Sequence, residues 1–166
     1  MHSKRLGNIG ELKVASFLVG LQLSVFKELG DISKVDLVVE YCGNLIGIQV
    51  KAIHKEKGRY PVTSKKSGSG YRFKYTEKDC AVFAIYCVDD DKIAWLKSSE
   101  ITGSRCNLSL RVDDPKNNQT KGVSYLDDYL DVMRVLRDYE QGNQTENAVV
   151  DDIVQTTTLE TRASES

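Results

Sequence analysis

The sequence predicts an α/β fold, a mixed central sheet of roughly four or five strands with helices packed against it. Three observations carry this reading. Residues 35–52, VDLVVEYCGNLIGIQVKA, are two apolar, β-branched runs joined by Cys42-Gly43-Asn44, which is the pattern of a β-hairpin. Residues 4–21 repeat apolar side chains at helical spacing. Residues 81–88, AVFAIYCV, form the longest apolar run and read as a central strand.

Composition sets the outer bounds. The chain has 166 residues, 40% hydrophobic and 28% charged, which is one ordinary domain's worth. The domain is expected over residues 1–141, with a polar, Thr-rich tail over 142–166. No apolar run is long enough to span a bilayer, and the Met-His-Ser-Lys-Arg start leads straight into the first amphipathic segment, so no membrane partner and no leader are expected. Cys42, Cys80, Cys87 and Cys106 lack the paired spacing of a zinc site, which leaves them as reduced thiols of a cytoplasmic protein.

In chain order, Leu6, Ile9, Leu12, Val14, Phe17, Leu18 and Leu21 define the broad apolar face of the first helix. Gly7 and Gly10 weaken its helix propensity and leave room for a close backbone approach, of which a phosphate is one candidate. Residues 23–28 alternate as a short strand and residues 29–34 form a loop. The hairpin follows, more apolar than a half-exposed sheet would be, so both of its faces should be covered. Residues 59–63 and 71–75 flank the Gly/Ser-rich basic stretch 65–70, which reads as a second, basic hairpin over 55–75. Tyr60, Tyr71 and Tyr75 are read as cross-strand packing in that ribbon. Residues 76–80 form a turn, and Asp89-Asp90-Asp91 turns the central strand into the next, over 92–96. Residues 98–102 begin a short helix, residues 107–112 an edge strand, and residues 124–140 a capped amphipathic helix with Leu126, Tyr129, Leu130, Met133 and Leu136 as its stripe.

Polar residues set the first hairpin apart. Side chains alternate along a strand, so Asp36, Val38 and Glu40 share a face, as do Gly47, Gln49 and Lys51. A turn centred between Gly43 and Asn44 opposes Asp36 to Lys51 and Val38 to Gln49. A carboxylate, an amide and an ammonium then meet at the hairpin's open end, a small reactive site on an otherwise apolar element. A purely structural Asp36–Lys51 salt link is the plain alternative.

Charge points to the substrate. The net charge is −1, but residues 51–78 hold nine basic and two acidic residues, whereas residues 122–166 hold ten acidic and three basic. A basic stretch set against an acidic end is the asymmetry of a nucleic-acid-binding surface. Lys55, Lys57, Arg59, Lys65, Lys66, Ser67, Arg72 and Lys74 are the candidate DNA contacts, carried by a ribbon of a size to enter a major groove.

An Asp, a turn, and a strand ending in acid-or-amide-x-Lys resembles the core of the PD-(D/E)XK nuclease superfamily, through Asp36 and Gln49-Val50-Lys51. With the basic hairpin after the motif, the chain looks most like the homing endonucleases of that fold encoded in group I introns of cyanobacteria. Two departures stand out: Val35 where a Pro usually precedes the Asp, and Gln49 in place of the second acid. The resemblance implies a PD-(D/E)XK core with an inserted basic β-hairpin, and Mg2+ as cofactor. It implies Glu11 of the first helix, Asp36, Gln49 and Lys51 as catalytic residues. The metal would be held by Glu11, Asp36, Gln49 and the main-chain carbonyl of Val50. Such a cation opposes the phosphodiester's negative charge and acidifies water, while Lys51 stabilises the attacked phosphate. Sequence-specific cutting of double-stranded DNA to 5′-phosphate and 3′-hydroxyl ends follows from the resemblance. Two cuts need two sites, hence a homo-oligomer, a dimer at least and by resemblance a tetramer. The alternatives are a structure-selective nuclease of the Holliday junction resolvase type and a DNA-binding protein whose catalytic site has decayed.

Overall fold

The structure, a computed structural model, describes residues 3–28, 33–68, 71–102, 106–113 and 122–140. The expected tail over 142–166 lies outside them. The first helix, α1 (Ser3–Gly20), leads into β1 (Ser24–Lys27), then the hairpin β2 (Leu37–Tyr41) and β3 (Asn44–Ile53). After β4 (Arg59–Thr63), β5 (Lys65–Gly68) and β6 (Tyr71–Lys74) come β7 (Val82–Cys87) and β8 (Lys92–Lys97). The short helix α2 (Ser98–Ile101), β9 (Asn107–Arg111), β10 (Ser124–Tyr125) and α3 (Met133–Leu136) complete the order.

Five strands form the main sheet in the order β1-β2-β3-β7-β8. Only β3 and β7 run parallel; the other neighbours are antiparallel, so the sheet is mixed as the sequence predicted. One face carries Leu37, Val39, Ile46, Ile48, Val50, Val82 and Ala84 against Val14 and Leu18 of α1. The other carries Phe83, Ile85, Cys87, Ala94 and Leu96 against Tyr60, Val62, Leu110 and Leu126. Every residue of β7 is buried, as expected of a strand covered on both sides. No described helix is long and apolar enough to cross a membrane.

Gly10 lets α1 lie this close to the sheet. A Cβ there would sit 2.9 Å from Cβ of Ala52 on β3, so the close approach is to the protein's own strand and not to a phosphate. The apolar face of α1 is narrower than its spacing implied. Val14 and Leu18 are fully buried, whereas Leu12 is 66% exposed and Leu21 47%.

Four other expectations are corrected. The hairpin turn is Cys42-Gly43, both with positive φ (49° and 77°), and it pairs Tyr41 with Asn44 and Val38 with Gly47. Two consecutive left-handed residues make the two-residue turn whose twist matches a hairpin. Asp36 therefore lies level with Gln49 and not with Lys51; the shift is two residues, so the same side chains stay on the same face. Second, β4 pairs with β9, so the basic hairpin comprises only β5 and β6. A second two-residue turn, Lys57-Gly58 with φ of 50° and 75°, has already reversed the chain before β4, with Glu56 and Arg59 exchanging main-chain hydrogen bonds. Third, β9 is the middle strand of a three-stranded sheet, β10-β9-β4, and not an edge. Fourth, residues 124–140 are not one helix. Ser124 and Tyr125 pair with β9, a 3-10 turn covers Leu126–Tyr129, and α3 starts only at Met133. Leu126, Tyr129 and Leu130 pack in the core beneath β4 and β9, whereas Val132, Val135 and Leu136 pack in the α1 core. A straight helix presents one stripe and cannot serve cores on opposite faces of a sheet.

Candidate active site

Asp36, Gln49 and Lys51 converge where β2 begins and β3 nears its end, on the sheet face opposite α1. Asp36 precedes β2 and is fixed by its own main chain, its N–H donating to the carbonyl of Ile48 at 3.0 Å. Asp36 Oδ2 accepts from the main-chain N–H of Val50 at 2.7 Å and from Nε2 of Gln49. The same Nε2 donates to the Val50 carbonyl oxygen at 3.1 Å. Gln49 is only 6% exposed, and its Oε1 accepts from the hydroxyl of Tyr75 at 2.8 Å. The chemistry of the partners dictates this orientation. An ionised carboxylate and a carbonyl only accept, so the amide nitrogen faces them and the oxygen turns to the hydroxyl.

Lys51 points from β3 toward the base of the basic hairpin. Its Nζ donates to the main-chain carbonyl of Lys65 at 3.4 Å and lies 5.5 Å and 6.0 Å from the ring centres of Tyr75 and Phe83. The buried thiol of Cys80 lies within electrostatic reach of both Lys51 and Asp36. Burial pushes that thiol up to about 11, so it stays protonated at neutral pH. At the hairpin base, Lys34 pairs with Asp79 at 2.6 Å and lies 4.1 Å from the Phe73 ring centre. Lys34 outweighs the opposing effect of burial and holds the Asp79 carboxyl below the usual range. A pocket of about 340 Å3 lined by Phe26, Val35, Asp36 and Val38 opens beside the site.

Glu11 stands apart from this network. Its carboxylate pairs with Lys27 Nζ at 2.7 Å, and Lys27 is registered against Leu37, the residue after Asp36. Glu11 thus reaches the same end of the sheet as Asp36, but its ion-pair partner is on β1. Among the described residues no three of His, Cys, Asp and Glu gather as a cluster. The donors at Asp36 are instead one carboxylate, one amide and one main-chain carbonyl. Asp89, Asp90 and Asp91 go separately to His54, Lys55 and Lys13, as befits a turn.

The candidate DNA contacts divide. Lys55 is held by Asp90 at 3.1 Å, Lys57 occupies the turn before β4, and Arg59 belongs to the three-stranded sheet. On the hairpin the main chain registers Lys65 with Lys74, Lys66 with Phe73 and Ser67 with Arg72. Tyr75 is the site residue that the sequence reading passed over as packing. It follows β6, is 2% exposed, meets Phe83 edge-on at 5.4 Å, and is tied back through its N–H to the carbonyl of Ser64. The only local sign was a polar-tipped aromatic at the end of the basic ribbon.

Residues 1–132 match the family model of the PD-(D/E)XK endonucleases. Among solved structures, a bacterial homing endonuclease, I-Ssp6803I, superposes with a TM-score of 0.67 over 89% of this chain and 99% of its own, at 19% identity. A search of the curated proteins finds no match.

Proposed function

The chain belongs to the PD-(D/E)XK endonuclease family, and we propose that within it the protein is a metal-dependent, sequence-specific endonuclease of double-stranded DNA that acts in intron homing in the cytoplasm. The observation that carries the reading is the convergence of Asp36 Oδ2 and the Val50 carbonyl on one amide nitrogen, with Lys51 on the same strand face. Two oxygens aimed at one donor are the beginning of a cation site, and their hard-oxygen character fits Mg2+. Asp36, the Val50 carbonyl and Gln49 through its carbonyl oxygen would hold the ion, with Glu11 as a fourth candidate. When bound it would neutralise phosphate charge and activate water.

The chain's own groups supply the rest. Lys51, whose Nζ is steadied by the Lys65 carbonyl, would stabilise the negative charge that develops on the attacked phosphate. Tyr75 fixes the Gln49 amide, and its hydroxyl serves either orientation because it both donates and accepts. The basic hairpin rises beside Lys51 and is the natural reader of sequence. Cutting both strands requires two copies, so a dimer at least, and a tetramer by likeness to the intron-encoded enzymes, is part of the proposal.

One observation favours a second reading. Gln49 gives Asp36 its amide nitrogen and so fills the cation position with an uncharged donor, as a decayed site that only binds DNA would. Plasmid and four-way-junction DNA, each with and without Mg2+, decide the matter with wild type and Lys51→Ala. Discrete Mg2+-dependent plasmid fragments, lost in the variant, support the homing-type enzyme. Cutting of junctions alone moves the assignment to a resolvase. Salt-sensitive binding with no cutting of the intron-less target leaves a binder.

A further inference from the structure

The three-stranded sheet turns a second basic surface outward, distinct from the basic hairpin. Arg59 on β4 lies directly opposite Arg111 on β9 in the antiparallel register. Directly opposed residues share a face with Cβ atoms about 5 Å apart, and like charges there repel. The same alternation puts Pro61, Thr63, Asn107 and Ser109 on this face, and Tyr125 of β10 beside Arg111. Among the described residues neither guanidinium has a hydrogen-bond or ion-pair partner, although Lys13, Lys27, Lys34, Lys55, Lys92, Lys97 and Arg134 all pair with carboxylates. The nearby carboxylate of Asp113 is packed against Gly58 and makes no ion pair with either arginine. A pocket of about 370 Å3 is lined by Arg59, Asn107, Ser109, Arg111 and Ser124. Ser109 Oγ is buried without a hydrogen-bond partner among the described residues.

Two opposed guanidiniums without an ion-pair partner among the described residues, in a pocket also lined by Asn107 and Ser109, form a site suited to an anion. We propose that this outer face clamps the sugar-phosphate backbone of DNA to one side of the cut, through Arg59 and Arg111. The proposal rests on the endonuclease reading above and extends its footprint. Position favours a phosphate of the same DNA over a free anion. The Thr63 end of β4 runs through Ser64 into Lys65, whose carbonyl holds Lys51. Arg59 is four residues back along the strand, about 13 Å at the usual rise. That spans a few nucleotides of one backbone. Arginine forks match phosphate oxygens bidentately, and phosphate contacts set register without reading sequence.

The test is the salt dependence of binding, for the full chain on a 30-base-pair target and on an unrelated duplex of equal length, with Ca2+ in place of Mg2+ to suppress cutting. Each backbone contact contributes about 0.9 to the slope of log K against log salt. Arg59→Gln with Arg111→Gln should lower the slope by about 1.8 and weaken both duplexes about equally, by ten- to a hundredfold at low salt. Arg111→Lys should keep the slope, and the double Gln variant should melt no lower than wild type, because the removed pair is repulsive. A double variant with wild-type slope and affinity overturns the clamp and leaves the endonuclease reading standing. Loss of affinity for the target alone also overturns it, because that is base reading. Equal binding of polyglutamate, with the same slope, overturns it in favour of an acidic-protein surface. Failure of wild type to bind or cut any duplex overturns the endonuclease reading instead.

Discussion

Strand β3 presents two faces that are almost equally hidden and do opposite work. Val50 is 8% exposed and Gln49 6%, yet one packs on α1 among aliphatic side chains while the other meets Asp36, Tyr75 and the Val50 carbonyl. On the α1 side, burial needs only volume and apolarity. On the opposite side it needs a partner for each polar atom, and one of those partners, Tyr75, comes from beyond the hairpin. The helix face therefore supplies stability, and the other face holds a network whose members depend on each other.

The sharpest break in that contrast is expected at Asp36 and Lys51. Asp36→Asn and Lys51→Ala should each cut cleavage by about 10²- to 10⁴-fold while shifting the melting temperature by only about a few degrees. Retained cleavage in both variants would remove the site from this face. The opposite outcome is expected on the other side. Leu18→Ala opens a cavity among Val14, Leu37 and Val39 and should cost about 2–5 kcal/mol of stability. Cleavage per folded molecule, measured well below the melting temperature, should match wild type.

Tyr75 ranks next, because it joins the two kinds of work. Its ring fills the core beside Phe83 and its hydroxyl satisfies Gln49. Tyr75→Phe keeps the ring and strands a buried amide oxygen, a loss of about 1–3 kcal/mol. Cleavage should also fall about tenfold or more, as expected of a slightly misplaced group. Denaturant unfolding with an unchanged midpoint would show that the amide finds another donor.

How much of this was legible follows the same division. The α1 face could be read from Val14, Leu18, Leu37, Val39, Ile46 and Ile48, because helical and strand periods are local properties. The sharing of a face by Asp36, Gln49 and Lys51 was also local, since alternation survives a register shift of two. The pairing itself was missed because Cys42, a residue not favoured at positive φ, takes the first turn position, and the turn chemistry pointed to Gly43-Asn44. Non-local partners left no trace in the sequence. Thr63 and Asn107 are paired across 44 positions, and the segment after Ser124 splits its apolar residues between two cores, which a stripe drawn on one helix cannot show. The hydroxyl of Tyr75 was invisible for the same reason: its value lies in where β6 returns the chain.

The smallest expected effect comes from the cysteines, which test the tightness of the site face. Cys80 and Cys87 are buried on that face, and burial raises their thiols to about 11 and about 12. Cys42 sits exposed on the hairpin turn. At pH 8 an alkylating reagent should label Cys42 readily and leave Cys80 and Cys87 until the protein unfolds, because the thiolate is the reactive species. The sign of the pH effect follows from the raised values. The folded state keeps protons that unfolded cysteines release near 9, so the stability they contribute is complete below about pH 9 and is lost as pH rises through about 11 to 12. Denaturant midpoints that decline over that window, and decline less in Cys80→Ala, would show a closed site face. Prompt labelling of Cys80 in the folded protein at pH 8 would show that this face opens locally.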